Sequence, residues 1–242
     1  WGNWRNLTPE RKADLEYVQT VKGTRALVCF IVQNVGDQLT PEGEDATTFW
    51  GEGDEAIVKY ANAICDTIDK YGYDGFDYDY EPNYGHRGNI SGVPAAEKVF
   101  VEALSRRLGP KSGTDKMLVI DGEPQTINSE LGPCFNYFIV QAYACTGDAN
   151  LDGRLQGTIM NFNGVLEPEE VAKKYIVTEN FENYALAGGV SFTDRNGNEM
   201  RSLEGMARWQ PIINGKKVQK GGIGTYHMEY EYMAGKQPSY PA

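Results

Sequence analysis

The sequence predicts one α/β domain spanning residues 1–242, of the size of a (β/α)8 barrel. Three observations predict it. Strand-like and helical hydrophobic periodicities alternate along the chain, the pattern of a parallel sheet joined by crossover helices. The run Ala26-Leu-Val-Cys-Phe-Ile-Val32 is apolar at every position, as in a strand covered on both faces. The length of 242 residues matches the about 250 over which such barrels form a single unit. No internal repeat, low-complexity tract or charge block marks a second domain.

The elements follow in order. Thr8-Pro9 reads as an N-cap with proline at the first helical position, and Leu15, Val18 and Val21 give that helix an apolar stripe. Ala26–Val32 is the first strand. Residues 53–70 repeat the helical pattern through Ala56, Ile57, Tyr60, Ala61, Ile64 and Ile68. Tyr73–Glu81 alternates as a strand, Ala95–Leu108 is a helix, and Lys116–Asp121 is a short apolar strand. Phe135–Tyr143 is a further strand, followed by a polar loop and a helix near Pro168–Tyr175. Tyr184–Phe192 is expected as a strand, Ser202–Trp209 as a helix and Gly221–Tyr230 as the last strand.

Composition narrows the function. With 34 acidic against 23 basic side chains the formal charge is −11, and the isoelectric point is near 4.7. Nucleic acid and anionic membrane surfaces both require a basic face, so neither is expected as a partner. The two histidines, His86 and His227, exclude a multi-histidine zinc site, and HExxH is absent. Cys29, Cys65, Cys134 and Cys145 show no CxxC spacing and read as buried free thiols. No complete Gly-rich phosphate loop occurs, GGIG at 221–224 being the nearest, so no cofactor is expected. The longest apolar run falls far short of the ~18 residues of a membrane span, and no signal-peptide pattern is present.

The segment Tyr71-Gly-Tyr-Asp-Gly-Phe-Asp-Tyr-Asp-Tyr-Glu-Pro82 carries the chemistry. On a strand, residues two apart share a face, so Asp77, Asp79 and Glu81 project to one side and Phe76, Tyr78 and Tyr80 to the other. Three carboxylates in a row repel each other, and burial makes the repulsion worse. The arrangement makes sense if crowding keeps one of them protonated near neutral pH, ready to act as a general acid. At the C-terminal end of a barrel strand such a group faces the active site. A solvated acidic edge is the competing reading, and the aromatic row on the other face argues against it.

Asp74-Gly-Phe-Asp77-Tyr-Asp79-Tyr-Glu81 resembles the DGxDxDxE signature of family 18 glycoside hydrolases, the chitinases and endo-β-N-acetylglucosaminidases. The resemblance implies that Glu81 is the general acid/base, that Asp79 orients the substrate's 2-acetamido group and that Asp77 supports Asp79. It implies retention with the acetamido oxygen as nucleophile, so that no protein nucleophile is required. Gln141-Ala-Tyr143 is similar to the place where the family carries a tyrosine that hydrogen-bonds the acetamido carbonyl. On a strand Gln141 and Tyr143 point the same way. Gln141, Glu123 and Tyr226 are candidate substrate-binding residues, with His227 beside them.

The expected Phe192–Gly221 connection is short and largely used by one helix, leaving no room for the subdomain that many chitinases insert. The last strand also lacks a tryptophan. The compact form resembles the endo-β-N-acetylglucosaminidase branch, which cuts the core of N-linked glycans. The partners implied are GlcNAc-containing glycans or glycoproteins, and the location implied is extracellular, periplasmic or cell-surface. A chitinase and a non-catalytic, lectin-like barrel remain as alternatives, the latter disfavoured because Glu81 is retained.

Asp148-Ala-Asn150-Leu-Asp152-Gly153 matches the first half of a calcium loop. Its twelfth position is Ile159 rather than a bidentate Glu, so no metal is expected and an Asn/Asp/Gly-rich turn shaping the cleft explains the segment. Asn6-Leu-Thr8 and Asn89-Ile-Ser91 are glycosylation triplets of the kind that occur by chance. In the family the signature sits on the fourth strand, yet only one strand precedes it here. The expected barrel therefore shows strands three to eight, with Trp1–Trp4 as the tail of strand two and the first two strands missing from the N-terminus.

Overall fold

The computed structural model describes residues 4–232. They group into two compact units, one made of the chain up to Asp121 with Glu130–Asn136, the other of Gly122–Ser129 with the chain from Tyr137 onward.

The first unit opens with α1 (Pro9–Thr20), capped by the Thr8 hydroxyl, which accepts from the Arg11 amide. None of its residues is fully buried, so the stripe of Leu15 and Val18 is only partly covered and Val21 is exposed. β1 (Leu27–Ile31) is followed by α2 (Ala46–Trp50) and α3 (Gly53–Tyr71). The stripe predicted on α3 is the buried one, with Cys65 added, and Gly72 ends the helix in the left-handed conformation that glycine adopts without penalty. Then come β2 (Gly75–Tyr80), α4 (Pro94–Ser105) and β3 (Met117–Gly122).

β1 pairs in parallel with β2, setting Cys29 beside Asp77 and Ile31 beside Asp79, and β3 lies on the other side of β2. The close fit depends on Gly75, where a Cβ would overlap the Met117 carbonyl. Burial alternates along β1 rather than covering both faces, and Cys29 is exposed, a correction to the buried thiol expected there. Cys65, Cys134 and Cys145 are buried as expected.

Phe76, Tyr78 and Tyr80 are fully buried against the helices. Tyr78 meets Phe100 of α4 at a ring-centroid distance of 5.5 Å, and Phe100 stacks on Tyr60 of α3 at 5.8 Å. Burying one such side chain contributes about 1.5–3 kcal/mol, which makes this row the anchor of β2. Below it the Tyr80 hydroxyl and the Gly92 amide both donate to buried Glu97 (2.6 and 2.8 Å). Of the expected tail Trp1–Trp4, residues 1–3 lie outside the described residues; Trp4 is in a turn and stacks on Phe30 at 5.8 Å.

The second unit contains β4 (Tyr137–Gln141), α5 (Asp148–Asn161), α6 (Pro168–Lys174), β5 (Tyr175–Asn180) and α7 (Phe181–Tyr184). A hairpin of β6 (Ser191–Thr193) and β7 (Glu199–Arg201), α8 (Ser202–Arg208), a second hairpin of β8 (Ile212–Ile213) and β9 (Lys216–Lys217), and β10 (Gly222–Tyr226) follow. β5 is parallel to both β4 and β10.

The strand expected at Tyr184–Phe192 is therefore corrected to Tyr175–Asn180. Its apolar half continues from α6 without a glycine or proline to mark the change, and the later segment forms the end of α7, a turn and β6. The connection to the last strand accordingly starts at Phe181 and holds two hairpins as well as α8, more than the single helix expected. Asp148–Gly153 is corrected from a loop to the first turns of α5. Each unit carries three of the large strands, six among the described residues, and no described helix is long and apolar enough to cross a membrane.

Candidate active site

In the first unit β2 buries its aromatic face as the alternation predicts and carries Asp77 and Asp79, with Glu81 just past its end. Asp79 is buried and Glu81 half-buried. Asp74, the first acidic residue of the motif, does something different. Its carboxylate accepts from the Ala26 amide and Gln19 Nε2, both at 2.8 Å, and from Arg25 at 3.3 Å. Burial pushes the Asp74 carboxyl up, but the Ala26 amide, Gln19 and Arg25 outweigh it and hold the group below the usual carboxylate range. Asp74 therefore ties the start of β2 to β1 and α1.

Asp77 and Asp79 are pushed the opposite way. Burial raises Asp77, and the neighbouring charge of Asp79 adds to it, while the Cys29 thiol donates a hydrogen bond that partly offsets the shift. Burial also raises Asp79, reinforced by the charges of Asp121 and Glu81 and by a hydrogen bond in which protonated Asp79 donates to Glu81. Asp77 Oδ1 and Asp79 Oδ1 are buried without a hydrogen-bond partner among the described residues. Although Cys29 keeps a face open to solvent, the protein crowded around its thiol and the charges of Asp77, Asp79 and Asp121 push it up, so it is no nucleophile at neutral pH.

Two members of this cluster escaped the sequence. Asp121, near the end of β3, contributes charge to Asp79; an Asp closing an apolar strand was the available signal. His86 places Nε2 3.9 Å from Glu81 Oε2, and its Nδ1 meets Gln33 Nε2 at 2.8 Å. Glu81 itself lies just past the end of β2, and its carbonyl accepts from the Tyr84 and His86 amides.

The second unit holds the remaining candidates. Gln141 ends β4 in register with Thr178. Tyr143 lies in the turn beyond, not on the strand, and Ala144 there has φ +55°, so strand alternation does not set its direction relative to Gln141. Tyr226 ends β10 in register with Asn180, and its ring centroid is 6.3 Å from that of Tyr143. His227 follows Tyr226 through a cis peptide and pairs with Glu229 at 2.8 Å. Glu123 is buried. A residue the sequence missed, Glu179 on β5, is fully buried.

Asp148 and Asp152, the calcium-like acids, are both engaged by Arg195 (3.2 and 3.1 Å), and Trp209 Nε1 donates to Asp152 at 2.9 Å. No cluster of three or more potential ligands is arranged to hold a metal ion among the described residues. Asn89 uses its side-chain oxygen to accept from the Val35 amide, and Ser91 is buried, so this triplet serves the packing of its loop.

Buried carboxyls of raised proton affinity on one strand, one of them donating to the carboxyl that follows it, are the equipment of an acid–base hydrolase. Comparison with known proteins supplies the family. A model described as glycoside hydrolase family 18, BT1044-like, matches residues 1–241. Endo-β-N-acetylglucosaminidase F2 of Elizabethkingia meningoseptica is 30% identical over 201 residues, covering 76% of this chain and 51% of its own length. The chain thus spans about half the length of this curated relative.

A solved selenomethionine BT1044 variant with one Glu replaced by Gln is 36% identical, with a TM-score of 0.81 over 96% of this chain and 72% of that one. An endo-β-N-acetylglucosaminidase from Cordyceps militaris, solved as an Asp→Asn, Glu→Gln double mutant with fucosyl-N-acetylglucosamine-Asn, shares the fold at 20% identity. Its TM-score is 0.60 over 97% of this chain and 72% of that one. The chain belongs to glycoside hydrolase family 18, and its fold is a partial (β/α)8 barrel of that family.

Proposed function

We propose that this protein hydrolyses β-1,4 linkages of GlcNAc with retention, acting on the chitobiose core of N-linked glycans. The observation that carries the reading is the row on β2. Asp79 is raised well above the usual carboxylate range and donates a hydrogen bond to Glu81, while its other oxygen is buried with no partner among the described residues. A buried acceptor left without a donor costs about 1–3 kcal/mol, a cost that makes sense if a ligand N–H completes it. The acetamido N–H of a GlcNAc unit fits that acceptor.

In this reading Asp79 passes its proton to Glu81, which delivers it to the leaving glycosidic oxygen as the acetamido oxygen forms a bond to the anomeric carbon. Asp79 accepts from the acetamido N–H and stabilises the oxazolinium ion, and Asp77 supports Asp79 from behind. Glu81, now a carboxylate, takes a proton from water, which attacks the same carbon and restores the acetamido group. Tyr143, Gln141, Glu123 and Tyr226 of the second unit keep the role of sugar contacts that the family resemblance implies. The choice of this core over chitin is supported by the likeness to the F2 relative, an endo-β-N-acetylglucosaminidase.

The test is the mass of a glycoprotein after incubation with the protein. One GlcNAc left on asparagine is the expected product. Release from chitin oligomers with the glycoprotein untouched would replace this reading with a chitinase, and binding without cleavage would replace it with a lectin.

A further inference from the structure

Glu179 belongs to no part of the row on β2, yet it is 0% exposed. A buried carboxylate costs several kcal/mol unless its oxygens are fully bonded. Here three donors reach it. Oε1 accepts from the Ala144 amide at 2.9 Å and from the Asn180 amide at 2.8 Å, and Oε2 accepts from the Ser202 hydroxyl. The Ser202 oxygen in turn accepts from the Val190 amide at 3.0 Å. Space for this group is kept by Gly189, at φ +103°, where a Cβ would collide with Ser202 Oγ and stand 3.0 Å from Glu179 Oε2.

The two amides on Oε1 come from two different backbones. Ala144 follows Tyr143 in the turn after β4 and adopts φ +55°, a conformation costing a non-glycine residue about 1–2 kcal/mol. Asn180 ends β5 directly in register with Tyr226 of β10. One carboxylate oxygen therefore fixes both the turn that carries Tyr143 and the strand end that neighbours Tyr226, whose rings lie 6.3 Å apart.

We propose that Glu179 is a positioning residue that sets the separation and orientation of Tyr143 and Tyr226 for the sugar. This rests on the reading of Tyr143 as a substrate contact. Charge matters because the oxygens must accept three times and donate nothing. Gln in its place keeps Oε1 for the amides but turns its NH2 towards Ser202, whose oxygen is already an acceptor for Val190.

The test is a double-mutant cycle between Glu179→Ala and Tyr143→Phe, read as kcat and KM on an N-glycopeptide. Acting through Tyr143, Glu179→Ala should lower kcat/KM by about tenfold or more, and adding it to Tyr143→Phe should cost less than twofold further. Glu179→Gln should recover part of the loss. Full additivity of the two losses would overturn the proposal.

A second measurement uses no substrate. Proteins with 13C-labelled tyrosine rings, the Tyr143 and Tyr226 signals assigned by their Phe variants, should show both signals displaced in Glu179→Gln and in Ser202→Ala. Unchanged ring signals in folded variants would overturn the clamp. A wild-type protein that leaves every GlcNAc substrate intact while the ring signals move as expected would overturn the functional reading and leave the clamp standing.

Discussion

Asp79 donates a hydrogen bond to Glu81, which lies just past the end of β2, and the charges of Asp121 and Glu81 help hold the shared proton in place. A proton stored between the two carboxyls is a proton Glu81 can deliver, and the Asp79 oxygen facing away remains for the substrate.

Replacing Glu81 removes the acid and the base together. Glu81→Gln is expected to fold and to lose about 10²–10⁴-fold in kcat on an N-glycopeptide, the range for a positioned general acid/base. The far-ultraviolet circular dichroism should match the wild type. Activity within a few-fold of wild type in a folded variant would place the acid elsewhere.

The proton on Asp79 gives activity a high-pH limit. Because its affinity is raised, kcat should be flat from mildly acidic pH and fall as the pH climbs through the raised value. Asp79→Asn keeps a donor to Glu81 but cannot ionise. It should lower kcat about 10²-fold or more and shift or abolish that alkaline limb, measured from about pH 5 to about pH 9. A limb unmoved in Asp79→Asn would assign it to another group.

Asp77 links the site to stability. Its affinity is raised above the unfolded value, so its contribution is complete below the unfolded pKa near 4 and is lost as pH rises through the raised value. Asp77→Asn should therefore raise the melting temperature at neutral and alkaline pH, with the gap closing below about pH 4. Thermal scans across pH check this, and a gap that widens on acidification contradicts it.

The signature glycine has a packing reason. Gly75→Ala pushes a Cβ into the Met117 backbone carbonyl and should destabilise by about 2–4 kcal/mol, seen in urea unfolding. An unchanged midpoint would mean that the β2–β3 spacing relaxes freely.

The calcium-like acids should ignore calcium. Asp148 and Asp152 are paired with Arg195, so millimolar calcium should leave the melting temperature unchanged, while Arg195→Ala should cost about 1–2 kcal/mol. A calcium-dependent rise in melting temperature would reverse that assignment.

The legible parts of this molecule are those with a simple period. The carboxylate and aromatic rows of β2 follow strict alternation, and the buried stripe of α3 follows the helical repeat, so both could be read residue by residue. What was hidden depends on tertiary partners. β5 could not be separated from α6 because Lys174 passes into Tyr175 without a breaking residue, and its polar end, Thr178-Glu179-Asn180, reads as solvent-facing. The Tyr143 turn was invisible because its left-handed residue is Ala144 rather than glycine or asparagine, held by Glu179 from 35 residues away. Asp148-Ala-Asn150-Leu-Asp152-Gly153 carries loop chemistry in its residue types, yet Arg195 and Trp209 hold its acids in a helix.

The central claim is that the Asp79–Glu81 pair cleaves the GlcNAc–GlcNAc bond of an N-glycan core. Its most direct test is the intact mass of an N-glycoprotein incubated with the wild-type protein and, in parallel, with Glu81→Gln. The account predicts a glycoprotein carrying a single GlcNAc per site with the wild type and an unchanged mass with the variant. An unchanged mass with both, or the same trimmed mass with both, would contradict it.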